Sequence, residues 1–284
     1  MHQPIHLVSK ENFPPLLQEI TDPPEQLYMR GVFPDPRSHT FLTVVGSRKF
    51  TPYGKQACEK LLSGLRGYPI IIVSGLALGM DAIAHRAALE SELLTIAVPG
   101  SGLDPSVLYP STNRGLAETI LQKGGALLSE FPNVFHATPY AFPQRNRIMA
   151  GLSHAVLVIE AEERSGTLIT SRLATEYNRD VFTVPGSIFS STSRGPHMLL
   201  RLGATPITTS AELLLALGFS VQEKTSDEIY SPEENSILQI LSFPKTRDDL
   251  ICELALPVQQ VNSILTVMEL KGLVTEQGGM LRKV

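Results

Sequence analysis

A chain of 284 residues, 43% hydrophobic and 18% charged, has an ordinary globular composition and is long enough for one large domain and one small one. Its net charge of −4 excludes a global electrostatic grip on nucleic acid, so any anion site must be local. The only two cysteines, Cys58 and Cys252, offer no disulfide framework or metal cluster, and no run approaches the roughly 18 apolar residues of a membrane span.

Met1-His2-Gln3-Pro4 lacks the basic and apolar regions of a signal peptide, so a cytoplasmic protein is expected. Residues 1–40 carry seven prolines and read as a lead-in too small to bury its own core, with a short helix over 13–20 and a strand over 26–30. From Thr40 the pattern changes. Short apolar strands at 41–45, 70–73, 94–98, 126–129, 155–159 and 181–184 alternate with helices at 51–65, 80–91, 114–122 and 167–178. Thr51 is placed to cap the first of these helices, with Pro52 at its first position. Fully apolar strands alternating with amphipathic helices predict an α/β domain over 41–218: a Rossmann-like, doubly wound, mostly parallel sheet. Residues 219–232 are polar and linker-like. Residues 233–284 then read as three helices and a β hairpin around Gly278-Gly279, the pattern of a small winged-helix domain.

In a doubly wound sheet, ligands bind beyond the carboxyl ends of the strands. Those ends carry the unusual residues here. Gly46-Ser47-Arg48 combines close backbone approach, a hydroxyl and an arginine fork, which suit phosphate; the alternative is a plain strand-to-helix turn. Ser74-Gly75-Leu76-Ala77-Leu78-Gly79 opens the next helix as a second candidate anion nest. Gly100-Ser101-Gly102 ends the third strand, and Arg164-Ser165-Gly166-Thr167 follows the strand at 155–159. All four loops are expected on one rim. Asp81 and His85 share a helical face and form either an acid/base pair or a structural hydrogen bond. Glu130 and Glu160, at strand ends, are candidate general bases or solvated, capping carboxylates. No hydrolase triad order, nucleophile elbow or metalloprotease motif is present, so catalysis lacks positive support.

Phe142-Pro143-Gln144-Arg145-Asn146-Arg147 sets an aromatic beside two arginines at a helix start. That combination serves single-stranded nucleic acid through stacking and backbone charge; a buried helix start with solvated arginines is the alternative. Arg145 and Arg147, two apart, cannot both face one pocket. Residues 41–220 hold fifteen Lys/Arg against thirteen Asp/Glu, whereas 221–284 hold six against ten. An anionic ligand is therefore expected on the middle domain. The last helix carries only Lys271 as a base, which favours protein contact or an accessory DNA role over sequence readout.

The ordered motifs Gly46-Ser47-Arg48, Ser74-Gly75-x-Ala77-x-Gly79-x-Asp81, Gly100-x-Gly102-Leu103-Asp104 with Tyr109-Pro110, Ser129-Glu130-Phe131-Pro132, Phe142-Pro143-x-Arg145-Asn146-Arg147, Ser165-Gly166-Thr167 and Val184-Pro185-Gly186 resemble the DNA-processing protein A family (DprA, also called Smf). The resemblance implies an extended Rossmann-like domain that binds single-stranded DNA, dimerises and helps load RecA recombinase in natural transformation, with no enzymatic activity and no cofactor. It places the DNA site on Gly46, Ser47, Arg48, Ser74, Gly75, Ala77, Gly79, Phe142, Arg145, Asn146, Arg147, Ser165, Gly166 and Thr167. The 40 N-terminal residues are too few for the helical domain that many members carry, and so read as a vestigial or truncated one. The runner-up function is a nucleotide or nucleoside-phosphate hydrolase of the lysine-decarboxylase-like group. Its double-glycine loop is missing here.

Overall fold

The computed structural model describes residues 3–220, 231–241, 243–254, 256–277 and 279–283. Two compact units divide the chain, Met1–Val221 and Gln222–Val284. Most of the expected linker lies outside the described residues.

The first unit runs β1 (Ile5–Val8), α1 (Pro15–Gln18), β2 (Leu27–Gly31), β3 (Thr40–Val45), α2 (Pro52–Ser63), β4 (Ile70–Ser74), α3 (Met80–Glu90), β5 (Leu94–Ala97), α4 (Arg114–Gln122), β6 (Ala126–Ser129), α5 (Ala141–Leu152), β7 (Ala155–Val158), α6 (Thr167–Glu176), β8 (Asp180–Thr183), α7 (Arg194–Arg201), β9 (Thr205–Pro206) and α8 (Ser210–Ala216). The nine strands form one sheet in the order β1-β2-β6-β5-β4-β3-β7-β8-β9. The run from β6 to β9 is parallel, and β1 and β2 join antiparallel at one edge. This is the expected doubly wound α/β sheet.

Period-two alternation splits the strand side chains between two cores. Phe41, Val45, Ile71, Val73, Val156 and Val158 face α5 and α6, while Leu42, Val44, Ile70, Ile72, Ala155 and Leu157 face α2, α3 and α8. Burial on both faces is why these strands read as unbroken apolar runs.

Residues 1–40 are not a separate lead-in. β2 pairs with β6, from Tyr28 opposite Ser129 to Gly31 opposite Ala126. Phe13, Leu17, Ile20 and Leu27 are buried in the core beneath α5. The segment needs no core of its own because it completes the sheet's. At Gly151 of α5 an added Cβ would lie 2.9 Å from Ile20, which shows how closely the two segments pack. The sequence reading assigns no element to α7, β9 or α8. α5 begins at Ala141, ahead of Pro143, since proline is tolerated in the first helical turn.

The second unit contains α9 (Pro232–Ile240), β10 (Lys245–Thr246), α10 (Arg247–Leu254), α11 (Val258–Leu270), β11 (Val274–Gln277) and β12 (Met280–Lys283). Its strands form an antiparallel sheet, β10-β12-β11. Ile237, Leu250, Val261, Leu265, Met268 and Leu281 are fully buried between the helices and this sheet. Ser231 and Glu234 close a capping box on α9. No single described helix is long and apolar enough to cross a membrane.

Candidate nucleic-acid interface

The chain leaves β3 through β4 and β5 to β6, then returns to the other side of β3 as β7. That reversal is the topological switch point, where the loops after β3 and β7 diverge and leave a crevice. A pocket of about 600 Å³ occupies it. Its walls come from Gly46-Ser47-Arg48-Lys49 after β3, Ala77 and Asp81 at the start of α3, Phe142, Arg145 and Asn146 on α5, and Arg164-Ser165-Gly166-Thr167 before α6.

Gly46 is required by close approach: a Cβ there would lie 2.6 Å from Met80 Cγ. Its carbonyl accepts from Thr167 Oγ1 at 3.1 Å, which ties the β3 loop to the α6 start across the crevice. Thr167 N in turn donates to Ser165 Oγ, and Asn146 Nδ2 to Gly166 O. The Ser47 hydroxyl is not free to hold phosphate, because it donates to Lys49 O and accepts from Lys49 N within its own turn. Arg48 is exposed, with its guanidinium 5.2 Å from the centre of the Phe142 ring.

Arg145 is 4% exposed and forms the floor. Its Nη1 donates to Gly75 O at 2.5 Å and to Val98 O, the carbonyls beyond the ends of β4 and β5. Burial lowers its pKa to about 10, opposed by the carboxylate of Asp81. Burial raises the Asp81 pKa, and Arg145 counters that as well. The pair is a buried cation and a buried carboxylate that answer each other. Arg145 and Arg147 now separate. Arg147 is not in the pocket wall; it pairs with Glu130 at 2.5 Å and with Asp22 on the far side of α5. It ties the N-terminal segment to the helix through these pairs, and it points away from Arg145 because residues two apart lie on different sides.

Three further expected residues act behind the pocket. Ser74 is fully buried and donates to Val44 O at 2.7 Å. Gly75 gives Arg145 its carbonyl and its space, since a Cβ would lie 2.0 Å from Nη1. Gly79, at φ +82°, passes the backbone of Arg48 so closely that a Cβ would sit 2.6 Å from its Cα. The whole β4–α3 turn is pinned by Asn113 Nδ2, which donates to Leu76 O and Ala77 O. Leu76 is there held at φ +59°, an uncommon conformation for leucine.

Two expectations are corrected. Gly100-Ser101-Gly102 does not reach the pocket. Gly100 packs against the Phe142 ring and Gly102 against the carbonyls of Pro132 and Asn133, so this loop forms the backing of the wall. Asp81 and His85 are not hydrogen-bonded to each other. His85 Nδ1 bonds Thr95 Oγ1 at 2.7 Å, and Asp81 accepts from Ala77 N at 3.4 Å. Glu160, the candidate base, is 3% exposed and engaged: it accepts from Thr51 N, Thr51 Oγ1 and Thr192 Oγ1. Lys49 joins the pocket without having stood out in the sequence, and Arg164, expected on the rim with its loop, lines it as well. The signal for Lys49 was its adjacency to Gly46-Ser47-Arg48, and only the fold shows that both cations line one pocket.

In the second unit three cations are answered locally, while Arg282 and Lys283 on β12 are exposed without an ion pair among the described residues. Arg247 bridges Glu269 and Glu276, Lys245 pairs with Glu253, and Lys271 with Glu234.

The family model of DNA recombination-mediator protein A matches residues 5–218, and that of the DprA winged helix domain matches residues 211–280. Protein Smf of Escherichia coli is 38% identical, the match covering 98% of this chain and 77% of that protein. The DNA processing protein DprA of Streptococcus pneumoniae is 42% identical over 72% of this chain and 70% of its own. A crystal structure of the S. pneumoniae protein superposes with a TM-score of 0.69 at 39% identity, covering 78% of this chain and 76% of that one. DNA processing protein A of Helicobacter pylori, solved for its single-stranded DNA binding mode, gives 0.67 at 31% identity, covering 76% and 96%. With both units matched and the motif loops gathered at one switch point, the chain belongs to the DNA recombination-mediator protein A (DprA/Smf) family.

Proposed function

We propose that the switch-point pocket binds single-stranded DNA and that the protein acts without catalysis, as a cytoplasmic mediator loading RecA recombinase in natural transformation. One observation carries the DNA reading. Arg48, Lys49 and Arg164 line the pocket, all exposed, and none has an ion pair among the described residues. Against them the lining sets one exposed carboxylate, Glu162, so the mouth stays net cationic over a glycine-lined crevice, which suits a phosphate backbone. The H. pylori relative's single-stranded DNA binding supports the same reading. Against the hydrolase alternative, Glu160 already accepts from Thr51 and Thr192 and does not line the pocket.

Fluorescence anisotropy with labelled oligo-dT at low salt tests the binding. No binding there defeats the reading, and release of free base from nucleoside monophosphates, abolished by Glu160→Gln, would install the hydrolase in its place. RecA filament assembly on oligo-dT, followed with and without the protein, tests the mediator role; equal rates would reject it. A homodimer through the first unit is supported by an apolar groove between α6 and α7, walled by Leu168, Leu173, Met198, Leu199 and the exposed Leu202. Light scattering after size exclusion reads the mass, and a monomer at micromolar concentration rejects the dimer.

A further inference from the structure

We propose a second base subsite, beside the pocket, in which Tyr109 is the stacking platform for the neighbouring nucleotide. It rests on the single-stranded DNA reading of the pocket and extends it. Arg48, Ala77 and Phe142 line the pocket on one side and, on the other, a smaller cleft completed by Leu78, Tyr109 and Pro110. The Arg48–Phe142 pair is thus a ridge between two cavities. The cleft, at about 20 Å³, is too small to enclose a base, so a base on that side would lie on the exposed face of the Tyr109 ring while the strand's phosphates meet Arg48.

The two aromatic rings are not equally available. Phe142 is covered by the Arg48 guanidinium and packed against Gly100, whose missing Cβ would sit 2.7 Å from ring atom Cδ1. Tyr109 meets Phe142 at a tilt of 51°, with centroids 5.8 Å apart, and is 46% exposed. Leu78 beside it is 49% exposed, so the cleft presents an apolar floor to water. The Tyr109 loop is braced from behind. Its backbone N donates to the buried Ser101 Oγ at 3.1 Å, and Arg114 donates to Leu108 O and Ser106 O. A rigid loop that holds an aromatic ring in solvent beside a cation is what a sequence-tolerant stacking site requires. Gly100-Ser101-Gly102 then serves to hold both rings in place.

The chain has no tryptophan, so Tyr109→Trp introduces a single indole reporter. Three variants of the full chain, Tyr109→Ala, Tyr109→Phe and Tyr109→Trp, are titrated with oligo-dT beside wild type. Stacking predicts that Tyr109→Ala weakens binding by about 5- to 160-fold. Tyr109→Phe and Tyr109→Trp retain affinity, and the indole emission is quenched as DNA binds. If wild type binds while Tyr109→Ala binds equally well, or the indole is not quenched, the subsite is overturned and the pocket reading stands. An equal loss in Tyr109→Phe assigns the effect to the hydroxyl and also overturns stacking. If wild type fails to bind, the pocket reading itself falls, and the subsite with it.

Discussion

Removing Arg48 should change how DNA binding depends on salt. Each neutralised phosphate on a single strand contributes about −0.7 to the slope of log affinity against log salt. Three cations at the pocket, Arg48, Lys49 and Arg164, stand without ion pairs among the described residues. Arg145 is left out of the count because Asp81 and two carbonyls already answer its charge. The expected slope is therefore about −2 for wild type and about −1.4 for Arg48→Ala. Raising salt fourfold should weaken wild type by about 18-fold and the variant by about 7-fold. At fixed low salt the lost charge-assisted bonds should cost the variant about tenfold or more. Arg48 is exposed and its one ring contact is worth about 0.5–1 kcal/mol, so urea unfolding should shift by no more than that. Anisotropy titrations at several salt concentrations give both slopes. Identical slopes with reduced affinity would show that Arg48 shapes the pocket without meeting phosphate, and the charge argument would fail.

Four other outcomes follow from the geometry. Arg147→Ala should lower stability through loss of the Asp22 and Glu130 pairs and leave the salt slope of DNA binding unchanged; a slope reduced as in Arg48→Ala would put Arg147 on the DNA. Arg145→Met strands Asp81 as a buried carboxylate and should cost about 3–5 kcal/mol in urea unfolding; a loss under about 1 kcal/mol would mean the two charges are not coupled. Burial holds the His85 pKa down to about 3, against 6.5 when unfolded, so the unfolded chain binds the extra proton between those values. Stability should therefore fall as pH drops below about 6.5, by about 2 kcal/mol at pH 5 from this group, and His85→Gln should flatten the profile between pH 5 and 7. Deleting residues 221–284 should leave oligo-dT affinity within about twofold if the first unit carries the site, since Arg247, Lys245 and Lys271 of the second unit are already paired and Arg282 and Lys283 remain as its exposed described cations; a larger loss would put those two on the DNA.

The sequence by itself determined the strand–helix alternation, because strands buried on both faces must be apolar throughout and helices covering them must be amphipathic. It also placed Gly46-Ser47-Arg48, Phe142, Arg145 and Ser165-Gly166-Thr167 at strand and helix ends, where the chain reverses and ligands bind. Only the tertiary structure decided which of these meet. The choice between Arg145 and Arg147 depended on what stands opposite each side of α5: the carbonyls of Gly75 and Val98 on one side, the carboxylates of Glu130 and Asp22 on the other. Asp81 and His85 share a helical face, yet His85 takes its partner from β5, ten residues on. The proline-rich start looked detached because it is too short to bury a core of its own, and it becomes the sheet's edge only once β6 is in place to accept β2. Gly100-Ser101-Gly102 has the composition of a ligand loop but lies behind the wall, where small residues admit the Phe142 ring. Local composition fixes what a segment can become; the partners that select one outcome come from strands and loops distant in the chain. The same holds for Lys49, unremarkable as an isolated base and brought into one pocket with Arg164 by the crossing at the switch point.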